Sequence, residues 1–371
     1  MRQPVKDHES SGSSWSTRKD VTERVRRVEA VRPEDRLSLV ARPAPSASAA
    51  EPGAAPEPWV VVLAGGEGRR LQEYTTTPEG KTVPKQFCHF RDERTLLGAT
   101  LDRALRIARR ERVVVVVLAA HREWWEPEVV RLPRENVLHQ PFGRGTAVAI
   151  HFALAHIQRR DPSARIVVMP SDHDFEDETT LLGCVANALH IAERFPLELV
   201  LLGIVPSHLD AEYGLIQPGT GRMHDSRPVR AFVEKPTLTL AAQLARAGAL
   251  WNSFIFACTG GALRDVLDAT LPWLGRTYRA HMIERGGDPL AVNRMFEGLP
   301  VCDFSHDVLE RNAGRLRLVE VPPCGWTDLG TPARLAGWLV RHREAPFWRE
   351  HRMPFLHGND DFPGALQAGG A

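Results

Sequence analysis

The sequence predicts an α/β protein with a mostly parallel sheet that is covered by helices on both faces. Short apolar segments rich in β-branched residues alternate with longer segments in which apolar residues recur every three or four positions. The most apolar run, Val113–Ala120, is typical of a strand buried on both faces. Strands that alternate with helices of this length favour parallel pairing through crossover connections.

The elements follow one another in a regular order. The first predicted strand, Trp59–Ala64, reads WVVVLA and runs straight into glycines. Further strands are predicted at 112–119, 166–169, 199–203, 215–217, 229–234 and 250–257. Helices with an apolar face are predicted at 95–110, 146–159 and 179–193. The alternation loosens after the fourth strand, so we expect the last three strands to add a mixed sheet to the same core.

The two ends of the chain differ in composition from the middle. Residues 1 to 57 contain a serine-rich stretch and a segment of Ala, Pro, Ser and Glu, which cannot bury enough apolar surface to offset its ordering entropy. The chain from residue 344 onward is rich in Pro, His, Gly and Asp. We therefore expect a disordered tail at 1–57, one domain at 58–343 and a loose tail at 344–371.

Composition excludes several functional classes. The formal net charge is +1, so no broad basic surface is available for nucleic acid or an anionic membrane. The N-terminal stretch has no apolar core of signal-peptide length, and the most apolar run is far too short for a membrane span. The cysteines are scattered without metal-binding or disulfide spacing, which predicts reduced thiols in a cytoplasmic protein. We expect no nucleic-acid or membrane partner, and homo-oligomerisation stays open.

The first predicted strand ends in a glycine-rich turn within the sequence VVVLAGGEGRRL. Its candidate anion-binding residues are Gly65, Gly66, Gly68 and Arg70. Glycines let the backbone approach a ligand closely, and successive N–H groups in such a turn form a concave anion site. A P-loop would need Lys-Ser or Lys-Thr after the last glycine, and a dinucleotide-binding turn would need a third glycine where Leu71 stands. The turn predicts a phosphate loop of another kind, with an ordinary tight turn as the alternative.

Two charged residues downstream fit the same purpose. Lys85 follows Pro84, so a lysine held by a rigid turn is available to neutralise phosphate charge. Asp172 comes after the strand predicted at 166–169, and the carboxyl ends of parallel strands are where open α/β sheets bind ligands. The ordinary alternatives are a solvated lysine and an aspartate that caps a helix.

Short motifs run through the chain in a fixed order. They are GGEGRRL at 65–71, PKQF at 84–87, QPFGRGTA at 140–147, PSDH at 170–173, YGLI at 213–216, FVEKP at 232–236, WNSFIF at 251–256 and GWTDLG at 325–330. In this order they resemble the motifs of the mannose-1-phosphate guanylyltransferase family of sugar nucleotidyltransferases. The resemblance covers about Trp59 to Val340.

The resemblance implies a fold and a reaction. The fold is the nucleotide-diphospho-sugar transferase fold, a Rossmann-like, mostly parallel sheet flanked by helices. The reaction transfers a nucleotidyl group from a nucleoside triphosphate to a sugar 1-phosphate and releases pyrophosphate. By resemblance the triphosphate is GTP and the acceptor is mannose 1-phosphate.

The resemblance also implies roles for particular residues. The expected catalytic residues are Arg70, Lys85 and Asp172. The expected nucleotide-binding residues are Gly65, Gly66, Gly68, Arg144 and Thr146. The expected sugar-phosphate-binding residues are Tyr213, Gly214, Glu234, Lys235 and Asn252. Mg²⁺ is the expected cofactor, with Asp172 and Asp328 as its ligands.

The sequence departs from the family pattern in three places. Arg69 stands where the family has Thr, Phe254 stands where it has Gly beside the expected sugar pocket, and the loop between Arg70 and Lys85 is longer than usual. These departures bear on the base and the sugar more than on the reaction. They leave two alternatives open, a transferase for another nucleotide and sugar, and a weakly catalytic homologue that binds nucleotide sugars for regulation.

Overall fold

A computed structural model describes residues 57–77, 80–90, 93–283 and 289–342. The predicted tails at 1–57 and 344–371 lie outside these residues, apart from Glu57 at the end of the first. The limits of the domain predicted at 58–343 therefore stay a prediction.

The strands of the described residues form one mixed sheet in the order β3-β2-β1-β4-β8-β5-β9-β7-β6. Their bounds are β1 Trp59–Ala64, β2 Val113–Leu118, β3 Val137–Gln140, β4 Arg165–Pro170, β5 Leu199–Ile204, β6 Leu215–Pro218, β7 Arg227–Val233, β8 Leu250–Thr259 and β9 Leu316–Val321. The first four strands pair in parallel. β8 runs antiparallel between β4 and β5, and β9 runs parallel to β5. The expected α/β fold is confirmed, and the later strands extend the same sheet.

Helices cover both faces of the sheet. Their bounds are α1 Leu96–Ile107, α2 Arg122–Trp125, α3 Thr146–Gln158, α4 Glu178–Arg194, α5 Leu238–Arg246, α6 Gly260–Thr270, α7 Pro272–Tyr278, α8 Pro289–Gly298 and α9 Pro332–His342. Short 3-10 segments include Arg69–Tyr74 and Lys85–Phe87, and π turns lie at Arg279–Ile283 and Phe304–Leu309. Four of the helices begin after a residue whose side-chain oxygen accepts a hydrogen bond from a backbone N–H of the first turn. These residues are Thr95, Asp177, Thr237 and Thr259.

The core consists of two apolar layers, one on each face of the sheet. Alternate residues of β1 enter opposite layers, Val60 and Val62 in one, and Trp59 and Val61 in the other. The first layer includes apolar residues of α1 and α4, and the second includes residues of α3 and α6. All of β2 is buried, which is why its sequence is a continuous apolar run.

Two strands, β3 and β9, were not predicted from the sequence. β3 is only four residues long, and half of it is polar. β9 carries the charged Arg317 in the interior of the sheet, where Arg317 Nε donates to Glu198 Oε2 at 3.0 Å. The arginine also stacks over the ring of Phe195 at 3.4 Å. Pairing of this kind makes a buried charge tolerable, and it is invisible in the sequence.

No helix within the described ranges is both long enough and apolar enough to cross a membrane.

Candidate active site

The glycine turn and Asp172 lie at the same edge of the sheet. β1 and β4 are parallel neighbours with Leu63 paired to Pro170, so the residues that follow the two strands emerge together. The backbone N–H of Ser171 donates to the carbonyl of Leu63 at 3.0 Å. β2 flanks β1 on its other side. The turn therefore opens into the crevice beyond the carboxyl ends of the strands, where open α/β sheets bind ligands.

The glycine turn is held in place by the segment that carries Lys85. Gln86 Nε2 donates to the carbonyls of Ala64 at 3.1 Å and Gly66 at 2.8 Å. Gly68 has a φ of +61°, and a Cβ at this position would lie 3.0 Å from the backbone nitrogen of Lys85. Both the backbone conformation and the close approach therefore require glycine. The space around Gly66 is open, which leaves room for a ligand.

The arginines that follow the turn are exposed. Arg70 Nη1 donates to Glu212 Oε2 at 3.1 Å, and Arg69 pairs with Glu67 at 2.5 Å. Glu212 immediately precedes Tyr213, so Arg70 connects the turn to the segment predicted to bind the sugar phosphate. Exposed ion pairs are worth about 0–1 kcal/mol, so either guanidinium can move to a phosphate at small cost.

Lys85 joins the two predicted metal ligands. Its side chain is only 6% exposed, and its Nζ lies 2.8 Å from Oδ2 of Asp172. The same ammonium donates to the backbone carbonyl of Asp328. Burial alone would raise the pKa of Asp172, but the Lys85 charge, the nearby His173 and hydrogen bonds hold that pKa below its usual value. The carboxylate is thus kept ionised beside a buried cation.

The Asp328 segment is held against the Asp172 segment by backbone pairing. Asp174 and Thr327 exchange two backbone hydrogen bonds of 2.9 and 3.1 Å. The Asp328 carboxylate accepts from the Tyr213 hydroxyl at 3.0 Å and from the backbone N–H of Gly330 at 3.0 Å. Arg334 Nη1 lies 3.0 Å from both of its oxygens. Arg334 was missed by the sequence analysis because it lies on α9, outside the motifs.

The predicted sugar-phosphate residues converge around Gly214. A Cβ on Gly214 would lie 2.5 Å from Oε2 of Glu234, so only glycine allows this approach. The carbonyl of Gly214 accepts from the backbone N–H of Asn252 at 2.8 Å. The ring of Tyr213 packs against the rings of Trp251 and Trp326, with centroids 4.8 and 5.1 Å away. Tyr213 therefore links this group to Asp328.

Glu234 has an unusual electrostatic environment. Burial, together with the carboxylates of Asp303 and Glu310, raises the pKa of Glu234 to about 7.

The next residue, Lys235, is 51% exposed and has a left-handed φ of +45°. Phe254, which replaces the family's glycine, also has a left-handed φ of +59°. Non-glycine residues in this conformation are strained and concentrate at functional sites.

Arg144 and Thr146 make their side-chain contacts elsewhere. Arg144 donates to the carbonyls of Phe296 at 2.6 Å and Glu297 at 3.0 Å. The hydroxyl of Thr146 accepts from the backbone N–H of Phe304 at 2.7 Å. These contacts hold the end of α8 and the chain after it against the start of α3. In the described part of the chain, no hydrogen bond joins either side chain to the glycine turn.

Two polar atoms beside the turn are buried without a partner among the described residues. They are Nε2 of Gln140, which ends β3, and Nδ1 of His121, just beyond β2. Gln140 is 2% exposed, and its Oε1 lies 3.2 Å from where a Cβ on Gly65 would stand. Buried polar atoms without partners are rare and indicate a missing ligand or water. Gln140 opens one of the quoted motifs but was not predicted as a site residue.

Comparison with known proteins identifies the family. A family model described as nucleotidyl transferase matches residues 59–337. The chain belongs to this family. It is 28% identical over 299 residues to the alginate biosynthesis protein AlgA of Pseudomonas putida, covering 76% of this chain and 58% of that protein. It is 31% identical over 286 residues to mannose-1-phosphate guanylyltransferase of Escherichia coli, covering 74% of this chain and 58% of that protein.

A solved structure agrees with this family assignment. The structure titled mannose-1-phosphate geranyltransferase from Thermus thermophilus aligns with a TM-score of 0.64 and 28% identity. The alignment covers 74% of this chain and 76% of that one. The chain spans about three fifths of the length of the AlgA and guanylyltransferase relatives, 58% in both cases. The predicted nucleotidyltransferase family and its fold are confirmed.

The Mg²⁺ expected from the sequence stays a prediction, and two carboxylates are present that could hold it. Asp172 and Asp328 supply carboxylate oxygens, the hard donors that Mg²⁺ prefers. Within the described ranges, no group of three or more His, Cys, Asp or Glu side chains is placed to hold a metal ion. Mg²⁺ is usually bound by one or two carboxylates together with substrate phosphates, and the Asp172–Asp328 pair suits that arrangement.

Proposed function

We propose that this nucleotidyl transferase transfers a guanylyl group from GTP to mannose 1-phosphate. The convergence of the glycine turn, Lys85, Asp172 and Asp328 on one sheet edge is the observation that carries this proposal. The similarity to the guanylyltransferase of Escherichia coli supports the choice of GTP and mannose 1-phosphate.

The proposed reaction is an in-line displacement at phosphorus. A phosphate oxygen of mannose 1-phosphate forms a new bond to the α-phosphorus of GTP. The bond from that phosphorus to the oxygen bridging to the β-phosphate breaks, and pyrophosphate leaves with the electron pair. The attacking oxygen is already an anion, so no strong general base is needed. The obstacle is repulsion between two polyanions, and catalysis must come mostly from positioning and charge stabilisation.

The glycine turn, Arg70 and Lys85 would hold the triphosphate. Backbone N–H groups of the turn would donate to phosphate oxygens, and the weakly paired Arg70 can turn toward a phosphate oxygen. An ammonium has three N–H donors, and Lys85 uses two of them on Asp172 and the Asp328 carbonyl. The third is available for a phosphate oxygen. Lys85 would therefore position Asp172 and contact substrate at once.

Asp172 and Asp328 would hold Mg²⁺. When bound there, the ion would supply positive charge beside the reacting phosphates. The proposal assigns the two carboxylates to this ion because Lys85 contacts the Asp172 carboxylate and the backbone carbonyl of Asp328, and so brings the two segments together.

Gln140 and His121 are candidates to contact the base. Their unpartnered nitrogens lie at the ends of β3 and β2, on the side of the glycine turn away from Asp172. An amide N–H at this place suits a carbonyl oxygen of the base. Arg144 and Thr146, predicted to bind the nucleotide, would act indirectly by holding the chain after α8 in place.

Tyr213, Gly214, Glu234, Lys235 and Asn252 would bind the mannose 1-phosphate. Glu234 is half-buried and would accept from sugar hydroxyls when it is ionised. Lys235 is exposed beside it and would meet the phosphate. The Asn252 amide, which already binds Ser305 Oγ at 3.4 Å, offers both donors and acceptors to the sugar.

A substrate panel tests this function. Pyrophosphate release would be measured with GTP, UTP, dTTP, ATP and CTP, each with mannose 1-phosphate or glucose 1-phosphate. We expect the highest kcat/KM for GTP with mannose 1-phosphate, and loss of turnover in Asp172→Asn. Faster turnover of another pair would reassign the base or the sugar. Tight binding of nucleotide without pyrophosphate release for any pair would favour a regulatory homologue.

We also propose that the enzyme works in the cytoplasm. The five cysteines are free, and Cys88, Cys258, Cys302 and Cys324 are buried, as suits a reducing compartment.

A further inference from the structure

Arg334 is pinned between two carboxylates and an aromatic ring. Its Nη1 lies 3.0 Å from both oxygens of Asp328. Its Nε and Nη2 donate to Oδ2 of Asp210 at 3.2 and 2.6 Å. The guanidinium carbon lies 3.8 Å from the ring centroid of Tyr213. The side chain is 10% exposed, so this is a fixed internal cation and not a surface arm.

Each of the two carboxylates proposed to hold the divalent ion is thus already paired with a cation of the chain, and Asp210 shares Arg334 with Asp328. Lys85 lies 2.8 Å from Asp172, and Arg334 lies 3.0 Å from Asp328. A divalent cation that approaches the protein without nucleotide would meet two fixed positive charges beside its intended ligands. Each of these cations also contacts carboxylate oxygens that a metal ion would need, and its repulsion offsets the attraction of one carboxylate at a similar distance.

We propose that Arg334 is a positioning residue that keeps both oxygens of the Asp328 carboxylate occupied until nucleotide arrives, so that the protein takes up its divalent cation with the triphosphate and not before it. This inference rests on the proposed function for the identity of the nucleotide. The triphosphate would bring negative charge that can attract the cation, which the two paired carboxylates do not offer.

Asp210 lowers the free-energy cost of breaking the contact between Arg334 and Asp328. Arg334 contacts Asp210 through Nε and Nη2, and it contacts Asp328 through Nη1 alone. Nη1 can therefore leave Asp328 while the guanidinium stays paired with Asp210 and stacked on Tyr213. A lysine would keep the charge but has no planar fork that reaches both aspartates.

The inference is tested by titrating the full chain with Mn²⁺ in the absence of nucleotide. The paramagnetic signal of the free ion measures how much Mn²⁺ is bound. The variants are Arg334→Met, which removes the charge at similar length, Arg334→Lys, which keeps it, and Arg334→Met combined with Asp328→Asn. We expect a Kd of about 1 mM or weaker for wild type and Arg334→Lys. We expect binding at least about tenfold tighter in Arg334→Met, and loss of that gain in the double variant.

Several outcomes would overturn the inference. They are wild-type binding as tight as that of Arg334→Met, an equal gain in Arg334→Lys, and a gain that survives Asp328→Asn. If thermal melting shows that Arg334→Met does not fold, the wild-type titration still decides, because sub-millimolar binding without nucleotide contradicts the proposal. The titration needs no turnover, so a failure of the substrate panel would remove the proposed function without affecting this result.

Discussion

Replacing Lys85 with methionine is expected to damage catalysis more than stability. Methionine keeps the length and the apolar part of the side chain, so the packing against the glycine turn survives. The ammonium is lost, and with it the 2.8 Å contact to Asp172 and the bond to the Asp328 carbonyl. Asp172 then loses the cation that fixes its orientation, and the triphosphate loses a donor.

The size of both effects follows from burial. Breaking a fully buried ion pair costs about 3–5 kcal/mol, because the remaining charge is stranded. Asp172 is 37% exposed, so water can reach it, and we expect a loss of only about 1–3 kcal/mol in the free energy of unfolding. Removing a preorganised donor to a reacting charge typically lowers kcat about 10²–10³-fold, and we expect Lys85→Met to fall in this range.

The pH dependence of stability tests whether the ion pair between Lys85 and Asp172 causes this loss. The pKa of Asp172 is lowered in the folded protein, so its ionised form contributes stability above the unfolded pKa, which is about 3.9. That contribution is lost as the pH falls through the lowered folded pKa. The difference in unfolding free energy between wild type and Lys85→Met should therefore be full near neutral pH and shrink in strong acid.

The assay combines chemical denaturation with steady-state pyrophosphate release. Lys81→Met is the matched control, because Lys81 is exposed and pairs with the exposed Glu123. We expect it to change stability by less than about 1 kcal/mol and leave kcat nearly unchanged. A folded Lys85→Met protein with near wild-type kcat would refute the role given to Lys85.

Three further substitutions test other parts of the site. Glu234→Gln should raise the free energy of unfolding relative to wild type by an amount that grows from about pH 4.3, the unfolded pKa, and is full above about pH 7, because the pKa of Glu234 is raised to about 7 in the folded protein and its ionisation opposes folding; equal profiles by denaturation would contradict the burial argument. Gly68→Ala should cost about 1–2 kcal/mol in melting experiments and displace Lys85, whereas Gly66→Ala, in open space, should leave stability unchanged; similar losses in both would be inconsistent with the geometry. Gln140→Leu should raise the KM for nucleotide about tenfold with little loss of stability, since Nε2 of the amide has no partner to lose; an unchanged KM would remove Gln140 from the nucleotide site.

Much of the fold was predictable because burial leaves a trace in the sequence. The continuous run in β2 and the helical spacing in α1 and α3 gave element bounds within about three residues. β3 was missed because it is only four residues long and half polar, and β9 was missed because a charged residue interrupts its apolar pattern. That residue is Arg317, and its ion-pair partner Glu198 comes from a segment far away in the chain.

The site was predictable only in part, for a similar reason. The motifs marked Lys85, Asp172 and Asp328, and the structure brings these three together. The roles given to them stay predictions. Arg334 and Asp210 could not be found, because neither stands in a motif and their pairing depends on how α9 packs. Arg144 was marked by a motif, yet its side chain contacts the last turn of α8.

Phosphorus NMR of the protein with GTP, Mg²⁺ and mannose 1-phosphate tests the central claim most directly. We expect the GTP and mannose 1-phosphate signals to fall together while pyrophosphate and a nucleoside diphosphate sugar rise in equal amounts. Asp172→Asn should leave the starting signals unchanged over the same time. Formation of GDP and orthophosphate, or no reaction from folded wild-type protein, would contradict the account.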